Sequence, residues 1–111
     1  MKTEVFMIRN LDGIEVRQSN QTEMFNVTDL VKGYNEMRRA RGLETKRLDN
    51  YWRLDSTQEF LQALEKQTLE SEGLLKTTKK GKLNKGTWVH PAIFVDIAMW
   101  LNPEFKARVM I

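Results

Sequence analysis

An α+β fold is what this sequence predicts, with β-hairpins near residues 5–17 and 76–89 and helical patterns between and after them. Three observations carry that reading. Asp12-Gly13 separates two β-prone runs, apolar residues recur at three- and four-residue spacing after Asn26, and Pro91 and Pro103 each stand where a helix can open. At 111 residues the chain suits one domain burying roughly 65% of its unfolded surface.

Taken in order, Val5 to Ile8 and Ile14 to Arg17 form the expected N-terminal hairpin. "FNVTDLVKGYNEMRRARG" predicts an amphipathic helix, with Asn26 or Thr28 as cap, Asp29 in the first turn and Gly42 at the stop. Leu30, Val31, Tyr34 and Met37 share its apolar face, with Lys32, Glu36 and Arg39 opposite. "ETKRLDNYWRLD" predicts a short helix with Lys46, Asn50 and Arg53 on one side and Leu48, Tyr51 and Trp52 on the other. "STQEFLQALEKQ" opens with a capping box, Ser56 and Glu59, and buries Phe60, Leu61 and Leu64. Its acids, Glu59, Glu65, Glu70 and Glu72, read as a solvated face.

"LLKTTKKGKLNKGTWV" then predicts two strands joined by a lysine- and glycine-rich turn. In "HPAIFVDIAMWLN" Pro91 begins a helix whose core stripe is Ile93, Ile97, Trp100 and Leu101. Val95 and Met99 fall on its far side, so it is apolar nearly all round and suits packing on two sides, by this chain or by a partner. Asn102 caps a last helix that starts at Pro103 and whose pattern runs to the end of the sequence, as expected of one domain, residues 1–111, at the front of a longer protein.

Composition narrows the function. Without cysteine there is neither a disulfide framework nor a thiolate metal site, and the single histidine, His90, makes no metal cluster by itself. Neither a metal nor a cofactor is expected. No apolar run approaches the ~20 residues that span a bilayer, and the opening residues lack a signal peptide's apolar stretch, so the expected place is inside a cell, away from membranes. Asn20 and Asn26 match the glycosylation pattern but read as turn and cap residues. Gly81 to Gly86 has the glycine spacing of a phosphate-binding loop, but Thr87 stands where its lysine belongs. His90, the one candidate base for a nucleophile, precedes Pro91 and suits a helix entry or a core position. No enzyme is expected.

Charge distribution is more informative than the net +3. Residues 32–53 hold seven basic and three acidic side chains, residues 54–75 one and five, and residues 76–85 five lysines and no acid. Like charges in a turn repel, a cost that a polyanion removes and that counterion release turns into affinity. Lysines also shield strand edges. The Lys46, Asn50, Arg53 face follows a helix and a glycine turn, the outline of a helix-turn-helix, and Arg and Asn suit guanine and adenine edges. Trp52, Trp88 and Trp100 fit core positions better than base-stacking platforms.

"FNVTDLVKGYNE", "YWRLDSTQEFLQALE" and "GTWVHPAIFVDIAMWLNPEFKARV", in that order, resemble the KilA-N domain of bacteriophage and large DNA virus proteins, a relative of the fungal APSES domain. The resemblance runs from about Val5 to Val109. Its most specific part is "GTWVHP" with Ala98, Trp100, Leu101, Pro103, Glu104 and Phe105. It implies a small winged-helix-like domain that binds double-stranded DNA, in phage or prophage regulators and antirepressors acting in the bacterial cytoplasm. A variable C-terminal domain often follows, and the partners to look for beside DNA are that domain, another protein or a second copy in a homodimer. By charge and position, the expected interface is Arg38, Arg39, Arg41, Lys46, Arg47, Asn50 and Arg53, with Lys76, Lys79, Lys80, Lys82 and Lys85 on a basic hairpin wing. The alternative is a protein-docking module using the apolar helix at 92–101.

Overall fold

The computed structural model describes residues 5–68 and 75–111. Strands β1 (Phe6–Leu11) and β2 (Ile14–Ser19) pair antiparallel across Asp12 and Gly13, whose φ values of 53° and 86° are those of a tight hairpin turn that glycine enters without strain. Alternation on β2 buries Ile14 and Val16 and exposes Glu15. The two-residue strand β3 (Phe25–Asn26) pairs with β2 through Gln18 and with the second hairpin through Val89 and Trp88. That hairpin comprises β4 (Lys76–Lys79) and β5 (Gly86–Val89), in register from Lys76 with Val89 to Lys79 with Gly86. The result is one five-stranded antiparallel sheet of order β1-β2-β3-β5-β4. Both hairpins were expected from the sequence, but the strand that joins them is too short for any periodicity to reveal.

Helix α1 (Val27–Ala40) follows β3 directly. Asn26 caps it by accepting from the Asp29 amide, and Val27, Leu30 and Tyr34 are buried while Lys32, Glu36 and Arg39 face solvent. The short α2 spans Leu48–Arg53. Here the expectation is corrected: Arg47 is extended (φ −104°, ψ 132°), so the helix opens after Lys46, which shares no helical face with Asn50 and Arg53. Helix α3 (Asp55–Thr68) begins one residue before Ser56, placing that serine inside the first turn instead of at the expected capping position. Thr57 and Leu61 are buried, Phe60 and Leu64 half-buried. Glu70, Glu72 and Leu74, the leucine that opens the expected third strand run, lie outside the described residues.

Helices α4 (Pro91–Leu101) and α5 (Pro103–Met110) start as their prolines predict. His90 Nδ1 accepts from the Ala92 amide at 3.0 Å, and Asn102 Oδ1 accepts from the Glu104 and Phe105 amides at 3.0 and 3.4 Å. The principal core gathers around α4: Ile93, Ile97, Ala98 and Leu101 pack with Val16, Val27, Leu30, Leu75 and Val89. Phe94 stacks on Phe25 at 4.2 Å between ring centroids. Trp100 is only half-buried, and Val95 is exposed with Met99 half-buried on the outer side. Among the described residues, no helix is long and apolar enough to cross a membrane.

Candidate nucleic-acid interface

Residues 80–85 join β4 to β5 and contain Lys80, Lys82 and Lys85, all exposed. Other elements grip the backbone of this loop. Arg17 of β2 donates from Nη1 to the Leu83 carbonyl at 2.8 Å and from Nη2 to the Lys85 carbonyl at 3.0 Å. Asn26 of β3 donates Nδ2 to the same Lys85 carbonyl at 2.9 Å. Trp88 donates its indole N–H to the Asn84 carbonyl at 2.8 Å. Three consecutive carbonyls, of Leu83, Asn84 and Lys85, are thus held by the domain, while the Leu83 and Lys85 side chains are exposed and that of Asn84 is half-buried.

The grips are themselves fixed. Asp29, in the first turn of α1, takes the Arg17 guanidinium in a fork, Nε to Oδ2 at 2.9 Å and Nη2 to Oδ1 at 3.0 Å. The Asp29 hydrogen bond raises the Arg17 pKa above its ordinary value against the opposing effect of burial, so this cation is permanent. Its guanidinium carbon lies 5.7 Å from the Trp88 ring centroid. Trp88, 2% exposed, stacks on Phe6 of β1 at 5.1 Å, apart from the principal cluster around α4. Gly86 has φ +132°, and a Cβ there would stand 2.5 Å from Asn26 Nδ2, so only glycine lets β5 leave the loop beneath that amide. The Thr87 amide donates to Thr28 Oγ1 at 3.0 Å and closes the join to α1.

Lys76 and Lys79 lie on β4 and are half-buried. Lys76 Nζ sits 4.3 Å from the centroid of the Trp52 ring, linking the hairpin to α2. Within the lysine run, therefore, the loop tip carries the outward charges.

The second basic block is arranged differently. Asn35 of α1 holds the Lys46 backbone from both sides, its Nδ2 donating to the Lys46 carbonyl and its Oδ1 accepting from the Lys46 amide, each at 2.8 Å. Lys46 Nζ donates to the Trp100 carbonyl at 2.7 Å, near the C-terminus of α4, and lies 5.1 Å from the Trp100 ring centroid. Burial, with a smaller contribution from Arg38, lowers its pKa. Arg38 Nε donates to the Glu44 carbonyl, and Arg47 pairs with Asp49 at 3.3 Å on the surface. Arg39, Arg41, Asn50 and Arg53 are exposed.

The lysine loop and the arginines at the end of α1 stand apart in space, whereas α2 meets the hairpin through Lys76 and Trp52. The loop touches the first turn of α1, whereas Arg38, Arg39 and Arg41 are at its far end, about 20 Å away along 14 residues of helix. The far end also carries Arg108 of α5, whose Nη2 meets Asp12 Oδ2 at 2.7 Å, while Tyr34 donates its hydroxyl to the same carboxylate oxygen at 3.0 Å. Sequence reading missed Arg17, Asn26 and Asp29 as parts of the site. Arg17 and Asn26 meet loop carbonyls as many as 68 positions away and Asp29 acts through Arg17, so no local pattern marks them; Asn26 was legible only as a cap and Asp29 only as a first-turn acid.

Fold and surface define a small α+β domain that presents a basic loop on a braced backbone, a surface suited to a polyanion. The family model of the KilA-N domain matches residues 8–110, nearly the whole chain, and the chain belongs to that family. KilA-N domains are generally DNA-binding. Comparison with curated proteins and with solved structures gave no match.

Proposed function

We propose that this chain is the DNA-binding domain of a phage- or prophage-type transcriptional regulator or antirepressor, acting on duplex DNA in the cytoplasm of a bacterial host. The β4–β5 hairpin serves as the wing of a winged-helix-like arrangement, and the exposed side of α2 faces a groove. The observation that carries this reading is the loop in which Arg17, Asn26 and Trp88 hold three successive carbonyls while Lys80, Lys82 and Lys85 remain exposed. A braced loop loses little conformational entropy when phosphates seat on it, so more of the charge attraction appears as affinity. Asn50 and Arg53 supply the hydrogen-bonding types suited to base edges, and Lys76 over Trp52 joins their helix to the wing. Arg39 and Arg41 extend the phosphate contacts toward the other end of α1.

Docking through α4 finds less support. Ile93, Phe94, Ile97, Ala98 and Leu101 are covered by this chain itself, which leaves Val95 with the edge of Met99, a scattered surface hydrophobe of the ordinary kind. Single-strand binding by stacking on Trp88 is disfavoured by that ring's burial.

The test is binding of random-sequence duplex and of the matching single strand across a salt series. Preferred duplex binding with a log–log slope of about −4 to −6, expected for roughly five to seven phosphate contacts, supports the proposal. Salt-independent binding, or none at low salt, refutes it.

A further inference from the structure

Leu83, at the tip of the lysine loop, is 81% exposed. Its own carbonyl is held by Arg17, and the next two carbonyls are held by Trp88 and by Asn26 with Arg17, so the backbone is not free to fold the side chain back onto the sheet. Exposed lysines flank it on both sides, Lys82 before it and Lys85 after it. A lone exposed leucine is unremarkable by itself. Here it is the apolar point of a braced, positively charged loop, and whatever phosphate backbone those lysines attract brings a nucleic-acid groove against it.

We propose that Leu83 is a minor-groove wedge: on duplex binding its side chain enters the minor groove, partly unstacks one base step and kinks the DNA. This rests on the duplex-binding reading above and adds a mode of recognition to it. The minor groove, about 6 Å across, puts phosphates of both strands within reach of lysines on either side of one tip. Apolar side chains inserted there open base steps and bend the duplex by roughly 20–90° toward the major groove. Pyrimidine–purine steps yield most easily, so the wedge selects for deformability at a position where it makes no base hydrogen bond. Bracing matters to this role, because a mobile tip would yield before the base stack does.

The experiment uses the full chain and a duplex enriched from a random pool by the wild-type protein, with dyes at its two ends and 2-aminopurine placed in turn along the site. Wild-type binding is expected to raise energy transfer between the ends and to raise 2-aminopurine emission at one step. Leu83→Ala should keep the melting temperature and the salt slope, lose both signals, and bind about threefold to tenfold more weakly. Leu83→Met should restore both signals. Replacing the opened step by a stiff A-tract step should weaken the wild type more than Leu83→Ala. A Leu83→Ala protein that bends and unstacks the duplex like the wild type overturns the wedge, as does a wild-type complex on straight, stacked DNA; either leaves duplex binding standing. A wild-type chain that binds no duplex removes the parent reading and the wedge with it.

Discussion

The two basic regions of this domain carry similar charge, but only one of them uses part of it to brace the fold. At the lysine loop the charged side chains are held out by others: Arg17, Asn26 and Trp88 take the backbone carbonyls, and Lys80, Lys82 and Lys85 remain exposed. Near the far end of α1 two basic side chains are part of the bracing, Arg38 on the Glu44 carbonyl and Lys46 on the Trp100 carbonyl, while Arg39 and Arg41 stay exposed. A count of basic residues weights the two alike. Hydrogen-bond geometry shows that a cation already committed to a backbone carbonyl has less to offer a phosphate than one held clear of the domain.

Substitutions can break or sharpen this contrast, and the largest effect belongs to the loop's anchor. Trp88→Ala removes a buried ring that stacks on Phe6 and releases the Asn84 carbonyl, and should cost about 3–5 kcal/mol in chemical denaturation. Unchanged stability there would mean that the loop is not built on the core. Arg17→Ala leaves Asp29 without its fork and frees the Leu83 carbonyl, for about 1–3 kcal/mol. Amide hydrogen exchange at residues 81–86 should speed up, and duplex affinity should fall although every loop lysine is still present. If affinity survives with the loop loosened, bracing is irrelevant to function.

At the other end, Lys46→Ala should cost about 1 kcal/mol through the lost contact with the α4 terminus, while duplex affinity of the folded protein stays near wild type. A large affinity loss without a stability loss would place Lys46 among the DNA contacts and erase the contrast. The fold also carries an alkaline weakness. Burial raises the pKa of Tyr34 and, with help from Asp96, raises that of Tyr51 much further. The folded chain therefore keeps phenol protons that the unfolded chain releases. Their stabilisation is whole below the ordinary tyrosine value of 10.0 and drains away as pH rises beyond it, which a series of melts above that pH would register.

What the sequence made legible was local. The Asp12-Gly13 turn, the apolar stripe of α1, the caps Asn26 and Asn102 and the prolines opening α4 and α5 all lie within a few residues of what they control. The family signature was legible for a similar reason, since its blocks are contiguous. The rest depended on distant partners. β3 exists because two residues meet strands on both sides, and α2 starts past Lys46, whose backbone amide and carbonyl are both taken by Asn35. Arg17 sat in a region of net acidity, with nothing nearby to say that it would reach across the sheet to the loop. The lysine-rich turn joins two strands where the sequence placed it, but nothing local in the sequence showed what holds it.

The most direct test compares the wild type with the variant Lys80→Ala, Lys82→Ala, Lys85→Ala for the salt dependence of duplex binding, with stability measured on the same samples. The log–log slope should become shallower by about 2 to 3 while stability stays within roughly 0.5 kcal/mol of wild type, because exposed side chains are removed from a backbone that other residues hold. An unchanged slope would mean that these lysines do not meet phosphate; a stability loss approaching that of Trp88→Ala would mean that they hold the loop themselves.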